Sequence, residues 1–276
     1  MLPLLATMWG GHLSVAYRIQ GDPASNLDTD PHLQAQLTDL DILLKNAPQL
    51  AELADFHLII DDLPIQFNLW RNIARLYSPA RSVLALDVDF FPDKDLHSFI
   101  LRNWEALLER MVSQKIAFVV PTFEFADVAP LSPSFIDAED AYPSLPETKE
   151  DVVAMVSRGE LQMFHQTWFH GQGHTNYTRW LSLPPNPSKG KGRKDELSLS
   201  YPVRTYHFKY EPYVLVPQEA PFCDERFLGY GSNKCACIYE LKAAGFSFNV
   251  LPTSFVIHRP HPSGADRREG TGAREK

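Results

Sequence analysis

The chain is 276 residues long, carries a formal net charge of −8 and is 44% hydrophobic. That apolar content suffices for the core of one large α/β domain and excludes a wholly disordered chain. The acidic balance excludes a general nucleic-acid partner, because phosphate binding needs a basic surface.

In chain order, residues 1–8 are a short apolar run with no charged flank. This is far below the ~20 residues that a membrane span needs, so no membrane segment is expected in this chain. Residues 12–19 (HLSVAYRI) alternate and predict a strand, and 32–53 predict a helix broken near Pro48. Residues 57–60 (HLII) predict a short buried strand, and 67–77 (FNLWRNIARLY) a helix. Residues 82–86 (SVLAL) predict a buried strand running straight into Asp87 and Asp89. Leu96, Phe99, Ile100, Trp104, Leu107, Leu108 and Met111 share one face at helical spacing, predicting a single helix before the apolar strand 116–120. Strands alternating with helices, and free of charge, predict a mixed, mostly parallel sheet flanked by helices. Ligands of such sheets sit beyond the carboxyl ends of the strands, which is where Asp87 and Asp89 fall.

The second half is less regular. Residues 126–150 are proline-rich and acidic and predict a long loop, with a short helix over 149–158. Residues 184–200 are basic and of low complexity, which predicts a mobile surface insertion, and the tail 263–276 is expected to be disordered. Of the three cysteines, Cys235 and Cys237 are too close for an ordinary bridge. A Cys223–Cys235 bridge stays open, and three buried thiols are the favoured expectation.

Four groups of residues carry chemistry. Asp87-Val88-Asp89 places two carboxylates at a strand end, suited to a hard divalent cation such as Mn²⁺ or Mg²⁺; the plain alternative is a turn. Asn68, Arg71 and Asn72 fall on one turn of helix, offering amides and a guanidinium to diphosphate oxygens or, equally, a solvated face. The segment 223–234 (CDERFLGYGSNK) holds two acids able to serve as a general base, and Gly229 and Gly231 permit a tight loop. His258-Arg259-Pro260-His261 closes a strand, and one imidazole there could complete a metal shell.

These blocks, in order FNLWRN, LALDVDFFP, AFVVPTFE, WFHGQGHTNYTRW and YEPYVLVPQEAPFCDERFLGYGSNKCACIYEL with FNVLPTSFVIHRPH, resemble glycosyltransferase family 49, which includes the LARGE-type xylosyl/glucuronyltransferases. The likeness runs from about Trp9 to His261. The resemblance implies a GT-A fold over residues 1–262 as one domain, with transfer from a UDP-sugar, best guess glucuronate, to a glycan or glycoprotein acceptor, with inversion and Mn²⁺ (or Mg²⁺). It implies Asp87, Asp89 and His258 as metal ligands, His258 preferred over His261. It implies Asn68, Arg71, Asn72, Asp87 and Lys234 on the donor side, with Lys234 or Arg226 facing a glucuronate carboxylate. Asp224, then Glu225, are the implied general bases. His174, Asn176, Gly229 and Gly231 are expected on the acceptor side, in part through the loop that also holds His170 and Gly173.

Two departures stand beside the resemblance. The family's first strand is expected to be truncated or replaced by residues 1–7, and Ser232 stands where relatives often carry an aromatic residue. A Golgi lumen follows by family analogy, with the family's anchor missing from this chain. The alternatives are a degenerate, non-catalytic transferase-like domain that binds UDP, glycan or a partner, and a phosphohydrolase using the same aspartates.

Overall fold

A computed structural model describes residues 1–126, 144–185 and 196–259. The chain begins with α1 (Leu2–Trp9), whose Leu5 and Met8 pack on Phe91. Residues 1–7 therefore do not stand in for a strand; they form a helix.

A βαβ unit follows. β1 (Leu13–Gln20) runs parallel to β2 (Ala54–Asp61), in register from Leu13 with Ala54 to Gln20 with Asp61. Between them lie α2 (Pro31–Asn46) and α3 (Pro48–Leu53), parted at Pro48 as expected. Asp30 caps α2, its carboxylate accepting from the His32 and Leu33 N–H groups, with Pro31 at the first helical position. β2 is longer and more exposed than the buried four-residue strand predicted, because among the described residues β1 alone pairs with it.

Next come α4 (Phe67–Leu76), β3 (Ser82–Leu84) and β4 (Phe90–Pro92). β3 stops three residues short of Asp87, so the two aspartates lie between strands rather than on the end of one. The single helix predicted from the apolar stripe is two, α5 (Leu96–Arg102) and α6 (Trp104–Ser113). Asn103 divides them, its side-chain amide donating to the Phe99 carbonyl at 2.9 Å and competing with the backbone ladder.

β5 (Ile116–Val120) and β6 (Thr122–Phe125) precede α7 (Lys149–Ser157), which opens with a capping box between Thr148 and Asp151. β7 (Leu161–Met163), α8 (Phe169–Gln172), a 3-10 turn (Gly173–Thr175) and α9 (Tyr177–Ser182) follow. β8 (Tyr201–Pro202), β9 (Tyr213–Pro217), α10 (Asn233–Ala243), β10 (Ser247–Val250) and β11 (Val256–His258) complete the described chain.

The strands form three sheets among the described residues: β1-β2, β3-β9-β5-β10-β8 and β4-β11-β6-β7. Parallel pairs are β1/β2, β5/β10 and β6/β11; β3/β9, β5/β9, β8/β10, β4/β11 and β6/β7 are antiparallel. The sheets are mixed and flanked by helices, as predicted, but less parallel than the apolar runs implied. A strand buried on both faces reads as a continuous apolar run whichever way its neighbours point. β5 shows this: Ala117 and Val119 enter one core cluster, Ile116, Phe118 and Val120 the other.

Most of the predicted loop at 126–150 and of the insertion at 184–200, the tail and His261 lie outside the described residues. The described end of the insertion is ordered: Glu196–Leu199 is a 3-10 turn, and Leu197 is fully buried in the core.

Candidate functional site

The antiparallel register of β4 on β11 sets the centre of the site. It aligns Phe90 with His258, and the Arg259 N–H continues the ladder to the Asp89 carbonyl at 2.9 Å. Asp89 therefore reaches His258, with Oδ2 3.2 Å from Nε2, although 169 positions separate them in sequence. Phe90 and Phe164 flank the imidazole at 4.8 and 5.0 Å between ring centroids. The turn before β4 is closed by the Phe90 N–H on the Asp87 carbonyl at 3.1 Å, which brings Asp87 alongside.

Both oxygens of Asp87 are engaged. Arg71 donates to Oδ1 at 3.0 Å; the Tyr213 hydroxyl donates to Oδ2 at 2.8 Å, and Lys234 Nζ lies 3.0 Å from the same oxygen. Burial raises the Asp87 pKa, but Lys234 and Arg71 outweigh it and hold the carboxyl well below the ordinary carboxylate range. Asp89 is lowered too: burial opposes the shift, and the hydrogen bond and charge of His258 prevail. The Tyr213 hydroxyl is pushed well above its usual range by burial and then by the Asp87 charge, so it acts as a donor. Two ionised carboxylates and one imidazole are the ligand types that suit a divalent cation of Mn²⁺ or Mg²⁺ type, but their ligand atoms do not all converge here: Asp89 meets His258, while Asp87 turns to Arg71, Tyr213 and Lys234.

α4 supplies Arg71 and positions the rest of its face elsewhere. Asn68 and Asn72 are buried, and both side-chain amides donate to the loop before α10. Asn68 donates to the Asp224 carbonyl at 2.8 Å. Asn72 donates to the Cys223 carbonyl and to Glu225 Oε1, both at 2.8 Å, and accepts from the Cys223 N–H at 2.9 Å. The amides thus fasten a loop, leaving Arg71 as the member of the trio that meets Asp87. Arg71 is itself aimed by Asn68 Oδ1 at 3.0 Å and Asn233 Oδ1 at 2.8 Å.

The same loop is closed by a disulfide between Cys223 and Cys237, with Cα atoms 4.4 Å apart. This corrects the expectation of three thiols or of a Cys223–Cys235 pair. Two residues apart on a helix are turned about 200° from each other, so α10 can offer only one of its cysteines to Cys223. Cys235 faces the core, its thiol donating to Glu211 Oε1 at 2.6 Å and pushed up to about 12, first by burial and then by that carboxylate.

Asp224 pairs with Arg226 at 2.6 Å, and these hydrogen bonds lower its carboxyl to about 2. Arg226 is 89% exposed, so its other side is open to solvent, and Glu225 is exposed. Gly229 and Gly231 hold φ values of 75° and 100°, in the left-handed region, and a Cβ on either would meet nothing within 4 Å. The Gly229 N–H donates to the Ile65 carbonyl at 2.7 Å, and Tyr230 packs on Phe67 at 5.2 Å. This loop therefore lies beside the start of α4.

His174 and Asn176 lie in a different place. They line a cavity of about 570 Å³ with Met163, Phe169, Arg204 and Thr205, and neither Asp87, Asp89 nor His258 lines it. Asn176, at φ 57°, caps α9 by accepting from the Arg179 N–H at 3.1 Å. The four residues expected on the acceptor side thus fall into two groups.

Sequence reasoning missed Tyr213, Asn233 and Asp93. Tyr213 and Asn233 offered only a hydroxyl opening an apolar strand and an amide opening a helix. Asp93 is buried, accepts from the Phe255 and Asp95 N–H groups at 2.9 and 3.0 Å, and is raised to about 7 by burial. It ties the end of β4 to the segment entering β11, and so supports the Asp89–His258 register.

Residues 43–271, which include every carboxylate and imidazole of the central cluster, match the family model described as glycosyl-transferase for dystroglycan. The xylosyl- and glucuronyltransferase LARGE2 of Rattus norvegicus is 31% identical over 270 residues, covering 96% of this chain and 33% of that protein. LARGE2 of Homo sapiens is also 31% identical over 270 residues, covering 32% of its length. The glycosyltransferase-like protein gnt14 of Dictyostelium discoideum is 31% identical over 219 residues, 78% of this chain and 30% of its own. The chain spans about a third of the length of the curated relatives it matches. By the family model and by this identity over nearly its whole length, the chain belongs to the glycosyltransferase family that contains the LARGE-type xylosyl- and glucuronyltransferases.

Proposed function

We propose that the chain transfers a sugar from a UDP-sugar, with glucuronate the first candidate, to a hydroxyl of a glycan or glycoprotein acceptor, with inversion. The observation that carries this reading is the Asp89–His258 contact at 3.2 Å beside an Asp87 carboxylate engaged by Arg71 and Lys234. Acidic ligands and cationic side chains in one place suit a nucleoside diphosphate accompanied by a divalent cation.

Asp87, Asp89 and His258 would hold the cation, Mn²⁺ or Mg²⁺. When bound, it supplies Lewis-acid stabilisation of the charge on the departing diphosphate. Arg71 and Lys234 would bind the diphosphate oxygens, and Lys234 or Arg226 would meet the carboxylate of a glucuronate donor. Asn68 and Asn72 hold the loop that presents Asp224 and Glu225. One of these two acids, Asp224 first, would take the proton of the acceptor hydroxyl as its oxygen bonds to the anomeric carbon and the bond to UDP breaks. Asp224 is charged throughout the physiological range, and displacement of the exposed Arg226 by substrate would raise its basicity. The disulfide supports work in an oxidising compartment, consistent with a Golgi lumen.

The test is thermal unfolding with UDP, with and without Mn²⁺, for the wild type and Asp87→Ala. A ligand at 100 times its Kd adds about 2.7 kcal/mol to the folded state. A Mn²⁺-dependent shift seen only in the wild type is the expected result; equal responses in the two proteins, or none, refute the site. Transfer is then read with UDP-glucuronate, UDP-xylose and UDP-N-acetylglucosamine.

A further inference from the structure

Beyond the carboxylate cluster, one group of side chains has no part in the reading above. His170 on α8, His174 on the 3-10 turn and His207 before β9 bring one nitrogen each to within 4.8 Å of one another. Among the described residues, theirs is the group of three such ligand atoms that converges. The rings lie nearly parallel: His170 and His207 are 4.1 Å apart at 15°, and His174 and His207 are 5.7 Å apart at 6°. His170 is exposed and the other two are half-buried.

The His174 ring is prepared for a ligand. Its Nδ1 lies 3.1 Å from Thr205 Oγ1, which sets the ring's orientation. Its Nε2 is buried with no hydrogen-bond partner. A buried ring nitrogen left unmatched is costly unless something meets it, and a metal-bound histidine commonly uses its other nitrogen to hold a neighbour in this way. His174 and His207 are both lowered from the usual histidine range, first by burial and then by neighbouring imidazoles, with Lys209 adding to the effect on His207. Lys209 Nζ sits 4.7 Å from the centroid of the Trp168 ring, so its charge is partly occupied by that face.

We infer that His170, His174 and His207 form a second metal site, selective for an imidazole-preferring transition ion such as Zn²⁺, which clips the 169–175 turn to the 203–210 segment beside the 570 Å³ cavity. The donor set separates it from the Asp87 cluster: three nitrogens suit Zn²⁺, whereas carboxylates suit Mn²⁺ or Mg²⁺. Four-coordinate zinc at ~2.0–2.1 Å from each nitrogen needs nitrogens about 3.3 Å apart, which closes the present gaps by roughly an ångström or more. Rotation of the exposed His170 and the half-buried His207 side chains supplies that movement, with His174 fixed by Thr205. Three protein ligands leave a fourth position for water or for a ligand oxygen. The site stands whether or not the chain transfers sugar.

Untagged, chelator-treated protein titrated with Zn²⁺ by calorimetry tests this, with Co²⁺ absorption reporting four-coordinate geometry. The wild type is expected to take up one Zn²⁺, and Asp89→Asn to do the same. His207→Ala should weaken binding at least ~100-fold, and Thr205→Val by ~10-fold, since outer-sphere partners alone are worth ~10–100-fold. The metal-free melting temperature of His207→Ala controls for folding, and His207→Gln replaces it if that falls. Zn²⁺ binding that is absent, that survives His207→Ala and His207→Gln unchanged, or that disappears only in Asp89→Asn overturns the inference.

Discussion

The Asp87 cluster and the His170 cluster are both built from residues far apart in sequence, but they are held in opposite ways. Around Asp87 every group has a partner: two cations and a phenol on Asp87, an imidazole on Asp89, amides on Arg71. Around His174 a buried nitrogen is left without one. The first cluster is organised by charge and by a β-ladder, the second by a turn and a loop with stacked imidazole rings. Charge complementarity suits a region to an ionic ligand, whereas the unmatched nitrogen of His174 is the opening on which the proposed metal site rests.

The sharpest way to break this comparison is at the carboxylates. Asp87→Ala with Asp89→Ala should lower sugar transfer by at least ~10³-fold in a radiochemical or coupled UDP-release assay, because several kcal/mol of charge stabilisation are lost. His207→Ala, measured in parallel, should cost less; equal losses would mean that the two regions act as one site.

Next is the loop that Asn68 and Asn72 fasten. Asp224→Asn should lower kcat by ~10²-fold or more if Asp224 is the base, with Glu225→Gln the milder variant. The reverse order would transfer the role to Glu225. Cutting the bridge tests the same loop by stability. Cys237→Ser should lose about 3 kcal/mol in denaturant unfolding, the typical value for closing a loop of this length. A loss under about 0.5 kcal/mol would show that the hydrogen bonds of α4 hold the loop unaided.

The smallest effect concerns Lys149, at the start of α7. Lys149 is buried, donates to the Trp180 and Pro252 carbonyls at 2.7 Å each, and is lowered to about 7 by burial. Between pH about 7 and lysine's ordinary range, the unfolded chain holds a proton that the folded chain has released, so stability rises with pH there. Below about 7 both states are charged and the dependence vanishes. The slope is at most about 1.4 kcal/mol per pH unit, and Lys149→Met should flatten it in urea melts between pH 7 and 9. An unchanged slope would place the titration elsewhere.

Much of the architecture was legible because apolar spacing and caps act locally. α4, β5 and α7 follow from their own residues, and the break at Pro48 from a missing N–H. The division of the 96–113 helix escaped, since a single Asn in an apolar stripe has no signature until its amide finds a carbonyl. Asp87, Asp89 and His258 were nominated by type and by family likeness. The meeting of Asp89 with His258 was decided by the β4–β11 register, a contact over 169 positions that no local pattern encodes.

The sequence by itself determined several of the elements, among them α4, β5 and α7, and which residue types carry chemistry, because those properties reside in side chains and in spacings of a few residues. Only the tertiary structure decided that Cys237 and not Cys235 meets Cys223, that Asn68 and Asn72 bind a loop, that Gly229 and Gly231 lie apart from His174 and Asn176, and that three histidines share one corner. Those outcomes depend on how rigid elements are turned against one another, and that orientation is set by the whole core at once.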